Sequence, residues 1–507
     1  MTTIESAGFV LPQGHRRAER GQEMFLTVNA GSTSVKLQLI LGGRTIVVGE
    51  TSGNIDRNNA QNCTFNITFT NDPSRNRSIP FVPSHGDAIG YFLDNTKNIT
   101  NGGAGIQAAF YKTVFPGPNY IGVFPIDDRL MTAMTKTFLK LAPEHNRFYG
   151  ICAEYLREEL PSTVHLSRCE PATHINNLVQ ATATSLPYNF AGALGIRGIG
   201  FHGSSIFSLL GKAPEILAAA GITPRGSKIV GIHEGGSSSA FMAENGICLD
   251  SSMKCNPETG LTPGNRITSR NVSHQVVEFA VDAMKNMAWL YHSQYFMDKG
   301  FDGFIPGNII NNMYTEIIKN GTLEGKPFNY EAVMYGESIK IPFEQELQLE
   351  RLVRERMEVM LTSESGYYGM AGIGSGDFAK IKAAADEGNG QAQAAIDFLI
   401  YEASGYLGEY IAKLGRDVHQ IIFSAGTGEN APWFRSAVIG DGKWFGCHVM
   451  RLDPELNEQM VGKEGVISTP DSPVHILVIK TNEAETLIKD CGEEYWKLAY
   501  DDQTRGS

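Results

Sequence analysis

Two short turns decide the fold of this chain: Asn29-Ala30-Gly31-Ser32-Thr33-Ser34-Val35-Lys36 and Ser424-Ala425-Gly426-Thr427-Gly428-Glu429-Asn430. Each turn follows an apolar run typical of a buried strand, from Phe25 to Val28 in the first case and from Gln420 to Phe423 in the second. A loop of small residues lets backbone N–H groups approach an anion closely. Together the two turns predict a nucleotide-dependent phosphotransferase.

The first turn carries side chains that suit a phosphate group. Ser32 and Ser34 supply hydroxyl groups and Lys36 a cation, and the alternating apolar residues that follow predict a second strand and therefore a hairpin. The GxxxxGK[ST] pattern is absent from the sequence, so a Walker-type ATPase is not indicated. In the second turn, Asn430 is predicted to cap a helix that begins at Ala431-Pro432 and faces the ligand.

Length and composition narrow the class of protein. A chain of 507 residues is too long for one core and fits two α/β domains. The net charge of −12 disfavours nucleic acid and anionic membranes as partners. The seven cysteines lack CxxC spacing, which is typical of reduced thiols, and no apolar stretch approaches the ~18 residues of a membrane span. These features predict a cytoplasmic protein.

The predicted organisation has four parts, which are a flexible N-terminal extension (1–23), an N-terminal domain (24–172), a C-terminal nucleotide-binding domain (173–483) and a helix (484–507) that returns to the first domain. Within the second domain, Asp377 is predicted to cap the first of two helices that run from Phe378 to Leu414 and are interrupted near residues 388–390.

Several segments follow one another in the order typical of a known family. They are Leu26–Lys36, Leu141–Asn146, Gly200–Ser205, His233–Ser238, Asp250–Met253, Ser365–Asp377, the Gly426 turn, Ile467–Ser472 and Thr481–Glu483. Together they resemble acetate kinase and its short-chain acyl kinase relatives, in the superfamily of sugar kinases, actin and heat-shock ATPases. The resemblance implies a two-domain, duplicated α/β fold of the actin/hexokinase-like (ribonuclease H-like) type. It also implies Mg²⁺ with ATP, a small carboxylic acid as acceptor, and a homodimer formed through the second domain.

The resemblance assigns roles to individual residues. His202 and Arg266 are implied to contact the transferred phosphoryl and acyl groups, with His145 in a supporting role. Glu483 and Glu170 are implied to hold Mg²⁺, for which carboxylates are the expected ligands. The residues implied to bind the nucleotide and its phosphates are Asn29, Ser32, Ser34, Lys36, His233, Gly235, Gly236, Asp377, Phe378, Gly426 and Asn430.

The acceptor side departs from the family pattern. Where the family has a His-Arg pair four residues ahead of a Gly-Gly step, this chain has Lys97-Asn98 ahead of Gly102-Gly103, which predicts that an asparagine replaces an active-site arginine. Losing such a guanidinium can cost on the order of 10³ to 10⁵ in rate. The predicted acceptor pocket consists of Asn98, Thr100, Glu144, Phe201 and Pro257. Glu234 adds a carboxylate where the family has leucine, and the extra polar groups predict an acceptor larger or more polar than acetate.

Between Arg266 and Ser365 the chain exceeds the family length by roughly sixty residues, so an insertion is expected around 271–361 as either a lid or an elaboration of the surface. Three alternatives to the main prediction stay open. The chain could be an ordinary acetate kinase in which Arg129 or Arg168 restores the missing charge, a catalytically weakened nucleotide-binding or scaffold protein, or a phosphotransferase that uses pyrophosphate or another donor in place of ATP.

Overall fold

In a computed structural model of the chain, the described residues are 9–31, 34–53, 55, 63–224, 226–270, 272–298, 307–320, 322–323, 326–327, 341, 343–415, 417–440 and 450–500. The strands are β1 (Met24–Ala30), β2 (Val35–Leu41), β3 (Arg44–Ser52), β4 (Thr64–Phe69), β5 (Arg77–Pro80), β6 (Ala108–Thr113), β7 (Val123–Pro125), β8 (Val164–Cys169), β9 (Ile229–His233), β10 (Ser239–Glu244), β11 (Ile247–Ser251), β12 (Thr322–Leu323), β13 (Lys326–Pro327), β14 (Gln420–Ser424), β15 (Gly465–Val466) and β16 (His475–Val478).

The α-helices are α1 (His85–Thr96), α2 (Asp128–Thr132), α3 (Pro143–Glu159), α4 (Val179–Thr182), α5 (Tyr188–Leu194), α6 (Gly203–Ala219), α7 (His274–Asp298), α8 (Gly307–Asn320), α9 (Phe343–Val359), α10 (Gly366–Ala371), α11 (Phe378–Asp386), α12 (Gly390–Lys413), α13 (Ala425–Asn430), α14 (Pro432–Ile439), α15 (Pro454–Gln459) and α16 (Glu483–Tyr500). Single turns of 3₁₀- or π-helix occur at Pro73–Arg75, Ala133–Thr137, Leu139–Leu141, Glu170–His174 and Met360–Glu364.

The two large sheets share the order of five of their strands. The first is β5-β4-β3-β2-β1-β6-β8-β7 and the second is β11-β10-β9-β14-β16-β15. In each sheet an antiparallel three-strand meander (β1–β3 or β9–β11) lies beside two strands (β6 and β8, or β14 and β16) that run parallel to its first strand. The repeated order confirms a duplicated two-domain α/β fold, and it brings the carboxyl ends of the parallel strands to one edge of each sheet.

Helices cover both faces of the first sheet. On one face, Leu26 and Val28 of β1 share a buried cluster with Phe92 of α1 and Leu156 of α3. On the other face, Phe25 of β1 and further β-strand residues are buried under the C-terminal helix α16. Because successive residues of a strand point to opposite faces, the continuous apolar run of β1 supplies both clusters.

Residues 9–23 pack along α16. His15 is hydrogen-bonded to the Ser162 carbonyl at 3.1 Å and to the Tyr495 hydroxyl at 3.3 Å. The guanidinium of Arg17 lies 5.4 Å from the ring centroid of Tyr500, a distance at which cation–π attraction operates. The prediction of a flexible extension is therefore wrong for residues 9–23, because their cations and imidazole find aromatic partners on a helix at the other end of the chain.

The second sheet is enclosed by α6 on one face and by α10 to α12, α14 and neighbouring segments on the other. The predicted helix pair is confirmed as α11 and α12, and Asp377 caps α11 by accepting hydrogen bonds from the N–H groups of Ala379 and Lys380 at 2.8 and 3.4 Å. Asn389 caps α12 in the same way. The Gly388-Asn389-Gly390 interruption is therefore a cap.

The segment predicted as an insertion forms helices with a small core of their own, since the described apolar residues of α7, α8 and α9 bury one another. Helices α7 and α9 are also joined by ion pairs, Glu278–Arg354 at 2.7 Å and Lys285–Glu346 at 3.1 Å. Residues 271, 299–306, 321, 324–325, 328–340 and 342 of this prediction lie outside the described residues. Within the described part of the chain, no helix is both long enough and apolar enough to cross a membrane.

Candidate active site

Polar side chains from both sheets converge at the carboxyl ends of the parallel strands. Asn29 lies near the end of β1, Lys112 near the end of β6, Glu170 directly after β8, and His233 at the end of β9. The N-termini of α6 and α16 begin at the same place, with Glu483 as the first residue of α16. In open α/β sheets, ligands bind in the crevice outside the carboxyl ends of the strands.

Glu483 is the centre of this cluster. Its Oε1 accepts hydrogen bonds from Lys112 Nζ at 2.6 Å and Ser205 Oγ at 2.8 Å, and its Oε2 accepts one from Asn29 Nδ2 at 2.5 Å. Burial would raise the pKa of Glu483, but the charge and hydrogen bond of Lys112, the Ser205 hydroxyl and His233 outweigh burial and lower it to about 2. Glu483 is therefore ionised at neutral pH.

Glu170 is a second carboxylate of the cluster, and it is buried. It accepts a hydrogen bond from Ser204 Oγ at 2.6 Å, and Ser204 in turn accepts one from Arg168 Nη1 at 3.0 Å. Arg168 is fully buried and forms an ion pair with Asp490 at 2.6 Å, so its charge is already used. Arg129 lies exposed on α2. The alternative in which Arg168 or Arg129 restores an active-site charge therefore stays a prediction, with Arg168 beside Glu170 and paired to Asp490.

His202 stands against His233 in the cleft. Its ring centroid is 4.5 Å from that of His233, and its Nδ1 is hydrogen-bonded to Ser239 Oγ at 2.9 Å. The backbone of His202 has φ of 56°, a left-handed conformation that costs of order 1–3 kcal/mol outside glycine and clusters at functional sites. Gly203 is required beside it, because a Cβ there would lie 2.1 Å from the Glu170 carbonyl oxygen.

The three histidines of the cluster are held neutral. Burial, with smaller contributions from Arg266 and Lys112, lowers the pKa of His145 to about 3. Burial lowers the pKa of His233 to about 4, because the opposing charge of Glu483 does not compensate. The pKa of His202 falls well below its ordinary value through burial and the neighbouring His233. Neutral imidazoles can donate hydrogen bonds without adding charge.

Arg266 is positioned by a loop that packs tightly on the glycine turn of the second domain. Its Nη2 donates to Ser237 Oγ at 2.9 Å, and Gly264 N donates to Gly236 O at 3.1 Å. Gly366 approaches so closely that an added Cβ would lie 2.6 Å from the Arg266 carbonyl oxygen. The guanidinium is thus held beside Gly236, where the sequence predicted phosphate binding.

The structure does not bring Asn98 and Thr100 to this cluster. Both belong to the turn that precedes β6, where Gln107 N donates to Met24 O at 2.9 Å at the very start of β1. That position is the amino-terminal edge of the sheet, opposite the cluster, and Asn98 is exposed there. The predictions that Asn98 replaces the arginine and that Thr100 lines the acceptor pocket are wrong, because Gly102-Gly103 precedes the strand instead of following it.

Lys112 is a site residue that was not predicted from the sequence. It lies on β6, and Pro116-Gly117 stands four residues after it, so the lysine holds the position relative to a glycine step that Asn98 was thought to hold. Its side chain is 13% exposed. Burial acts to lower the pKa of Lys112, but Glu483 and Glu170 raise it above its ordinary value, so the ammonium stays charged. A charged lysine in a buried strand was the available signal.

The Gly426 turn after β14 is joined to the turn after β9 that contains Gly235 and Gly236. Glu234 N donates to Ser424 O at 3.0 Å, and Glu234 O accepts from Thr427 N at 2.9 Å. A Cβ added at Gly236 or Gly426 would meet nothing within 4 Å, so both glycines border open space. The turns therefore form one backbone surface with room for a ligand, as close approach of an anion requires.

Two predictions about the nucleotide-binding residues, for Asn430 and for Phe378, are wrong. Asn430 does not cap the following helix: its Nδ2 donates to Gly426 O at 2.8 Å, and the residue before α14 is Ala431, which has no capping side chain. Phe378 is only 6% exposed and packs on Tyr367 with ring centroids 4.8 Å apart. Phe378 is therefore part of the core and does not form a surface for adenosine.

The first-domain turn reaches the cluster through Asn29. Lys36 lies directly opposite Asn29 in the β1–β2 pair, but its ammonium forms an ion pair with Glu50 at 3.4 Å. The Ser34 carbonyl accepts a hydrogen bond from Gly31 N and closes the turn at 2.8 Å. Ser32 lies outside the described residues. Among the described phosphate residues predicted for this turn, Asn29 is hydrogen-bonded to Glu483.

The predicted acceptor residues divide into two groups. Phe201 and Pro257 are buried, and Phe201 lies directly before His202 in a cluster with Met253. Glu144 falls in the first turn of α3, next to His145, and its side chain lies outside the described part of the chain. Phe201 and Glu144 are thus neighbours of the histidines in sequence, unlike Asn98 and Thr100.

Glu234 faces away from the cleft. Because adjacent residues of a strand point to opposite faces, Glu234 turns from His233 toward the core that contains Tyr367. Its Oε1 accepts a hydrogen bond from Ser238 Oγ at 2.6 Å. Burial, with help from Glu402, raises the pKa of Glu234 to about 8. Glu234 therefore does not make the acceptor pocket more polar.

The carboxylates fit a magnesium ion that keeps most of its water. Within the described residues, no group of three or more His, Cys, Asp or Glu side chains is arranged to hold a metal. Glu483 is ionised, and both Glu483 and Glu170 lie close enough to Lys112 to raise its pKa. Mg²⁺ bound with a nucleotide uses one or two carboxylates and completes its shell with water and phosphate oxygens.

Comparison with known proteins assigns the chain to a family. The family model described as the Acetokinase family matches residues 24–289 and 347–489. The chain belongs to the acetokinase family. It is thus a phosphotransferase that acts on a carboxyl group, and the unmatched residues between the two ranges fall within the predicted insertion.

Curated relatives and solved structures agree with the family assignment. The acetate kinases of Staphylococcus aureus strains JH9 and JH1 are each 26% identical to the chain over 472 residues, covering 92% of it and 98% of the relative. A crystal structure of acetate kinase from Porphyromonas gingivalis is 22% identical with a TM-score of 0.64 and covers 93% of this chain and 99% of that one. A propionate kinase from Francisella tularensis, 20% identical, has the same TM-score and covers 92% and 98%. These structures confirm the actin/hexokinase-like fold.

Proposed function

We propose that the protein transfers the γ-phosphoryl group of ATP, bound with Mg²⁺, to the carboxylate of a small organic acid. The observation that carries the proposal is the convergence of Lys112 and Arg266 with three neutral histidines at the carboxyl ends of the parallel strands. The same cluster contains two carboxylates, the buried Glu170 and the largely buried Glu483. Phosphoryl transfer depends almost entirely on positioning and on charge stabilisation of this kind.

Different residues of the cluster serve different requirements of an in-line phosphoryl transfer. A carboxylate oxygen of the acid attacks the γ-phosphorus as the bond to the β–γ bridging oxygen breaks, and no proton has to move because the acid is already ionised. Arg266 and Lys112 meet the negative charge on the equatorial oxygens, and His202 donates a hydrogen bond without competing as a cation. Glu483 and Glu170 would hold Mg²⁺, which supplies charge neutralisation at the nucleotide phosphates.

The acceptor predicted from the sequence was larger or more polar than acetate. Thr100 and Glu234 no longer support that prediction, because one lies at the opposite edge of the sheet and the other faces the core. Glu144, which precedes His145 in the sequence, still supports the prediction of a more polar acceptor. We therefore propose a small carboxylic acid as the acceptor class, with acetate and the hydroxy- or amino-substituted acids as the members to compare.

We also propose a cytoplasmic homodimer. The cysteines in the described ranges, Cys63, Cys152, Cys169, Cys248, Cys255 and Cys491, are free thiols, as expected where thiols stay reduced. The homodimer follows from the family resemblance, with the second domain as its interface, and analytical ultracentrifugation measures it directly.

The deciding experiment incubates the purified protein with Mg·ATP and a panel of acids and traps any acyl phosphate with hydroxylamine. We expect trapped product with at least one small monocarboxylic acid and its loss in Arg266→Met. Lys97→Met, which changes an exposed lysine at the opposite edge of the sheet, should retain full activity. Absence of product with every acid and with either ATP or pyrophosphate as donor, in a protein that still binds nucleotide, would overturn the proposal.

A further inference from the structure

Lys112 forms an ion pair with Glu483 in the structure. The two charged groups are 2.6 Å apart, with 13% and 19% of their side chains exposed, so the pair is shielded from water. Oε1 of Glu483 accepts from Lys112 and Ser205 together, while Oε2 accepts from Asn29. A divalent cation that binds Glu483 therefore meets an ammonium already bonded to the same carboxylate.

Lys112 also lies close to the groups around the reacting atoms. Its charge contributes to the lowered pKa of His145, His202 and His233 alike. A lysine carries a compact charge on a flexible four-carbon stem with three rotatable donors, so it can change partners without moving its backbone. Strand β6, which holds Lys112, is bonded on both sides by β1 and β8 and gives the stem a fixed base.

We propose that Lys112 exchanges partners during the reaction, neutralising Glu483 before the nucleotide binds and contacting the transferred phosphoryl group once a divalent cation has taken Glu483. The inference rests on the proposed function. It makes Lys112 a catalytic residue and makes metal binding the event that frees it. While the ammonium stays on Glu483 its charge is largely neutralised by that carboxylate, so it stabilises the phosphoryl group fully only after the contact is released.

The exchange predicts opposite effects of one substitution on two measurements. Lys112→Met removes the cation that competes for Glu483, so Mn²⁺, used in place of Mg²⁺, should bind the nucleotide-free protein about tenfold more tightly, at the lower end of outer-shell effects on metal affinity. The same variant should lose on the order of 10³ in turnover, because a charge at the transferred phosphoryl group is gone. A purely structural ion pair would predict weaker or unchanged metal binding.

The experiment titrates Mn²⁺ into the full-length wild type, Lys112→Met, Lys112→Arg and Lys97→Met, and follows free Mn²⁺ by electron paramagnetic resonance without nucleotide. Lys112→Arg and Lys97→Met should bind Mn²⁺ as the wild type does. Melting curves check folding, and Lys112→Gln, which keeps a donor toward Glu483, replaces Lys112→Met if the latter does not fold. Unchanged or weaker Mn²⁺ binding in the uncharged variants would overturn the exchange.

The metal titration and the turnover assay separate the two proposals. If wild type phosphorylates no acid but Lys112→Met binds Mn²⁺ more tightly, the proposed function fails and only the competition for Glu483 stands, so the catalytic role of Lys112 is withdrawn. If wild type is active and Lys112→Met keeps its turnover, the proposed function stands and the inference about Lys112 fails.

Discussion

Replacing Glu234 by glutamine should remove a large part of the pH dependence of stability. Glu234 is 0% exposed, its Oε1 accepts from Ser238, and its Oε2 has no hydrogen-bond partner among the described residues. Burial, assisted by Glu402, raises the pKa from 4.5 to about 8. The folded chain therefore keeps a proton on Glu234 at neutral pH that the unfolded chain has released.

The sign of the effect follows from this difference in bound protons. Between pH 4.5 and about pH 8 the folded state holds more protons than the unfolded state, so the free energy of unfolding falls as the pH rises. The slope from this one group is about 1.4 kcal/mol per pH unit. From about pH 6 to about pH 8 the loss amounts to roughly 2 kcal/mol, and above that range it levels off.

Urea unfolding of wild type and Glu234→Gln, followed by tryptophan fluorescence between about pH 6 and about pH 9, measures the contribution. Subtracting the variant from the wild type cancels the other titrating groups, so the difference should fall by roughly 2 kcal/mol as the pH rises. Glu387→Gln, at an exposed position after α11, is the matched control and should give a constant difference. A constant difference for Glu234→Gln as well would refute the reasoning.

Four further predictions concern the cleft. Glu483→Gln should weaken Mn²⁺ binding by about 10- to 100-fold in a metal titration, since it removes the ionised oxygen, and undiminished binding would exclude Glu483 as a ligand. Arg266→Met should lower turnover by on the order of 10³ in the hydroxylamine assay with little change in melting temperature, and retained turnover would remove Arg266 from the reaction. Asn98→Ala should change turnover less than about twofold, because surface changes far from a site have small effects, and a large loss would contradict its place at the opposite edge of the sheet. Because His202 is already neutral at neutral pH, its titration should produce no change in kcat/KM near pH 6.5, and a step there that disappears in His202→Asn would show that the imidazole is charged in the folded protein.

The fold could be predicted where local signals were strong. The two apolar runs that end at the glycine turns are strands β1 and β14. The Asp377 cap could be predicted because a capping side chain stands directly before a periodic apolar pattern. The N-terminal segment could not be predicted in this way. Arg17 and Arg20 look solvated in sequence, yet they lie against Tyr500 and Trp496 at the far end of the chain.

The site was harder to predict because its residues meet through strand order. Gly102-Gly103 and Pro116-Gly117 both stand near β6, and only the direction of that strand beside β1 shows which of them lies at the cleft. The lysine itself gave a weak signal, since its partner Glu483 is 371 residues further along the chain. The histidine segments, by contrast, lie at strand and helix ends that the family pattern marks directly.

The first domain cannot complete its packing during synthesis until helix α16 has been made. The face of the first sheet formed by Phe25, Phe110 and Leu166 is buried under Leu487 and Tyr495 of α16. A ribosome completes those strands long before it makes the helix, and it makes the whole second domain in between. The nascent first domain therefore carries an apolar face through most of translation, and such surfaces are where chaperones bind and aggregation begins. Its final packing is set only when the last helix emerges.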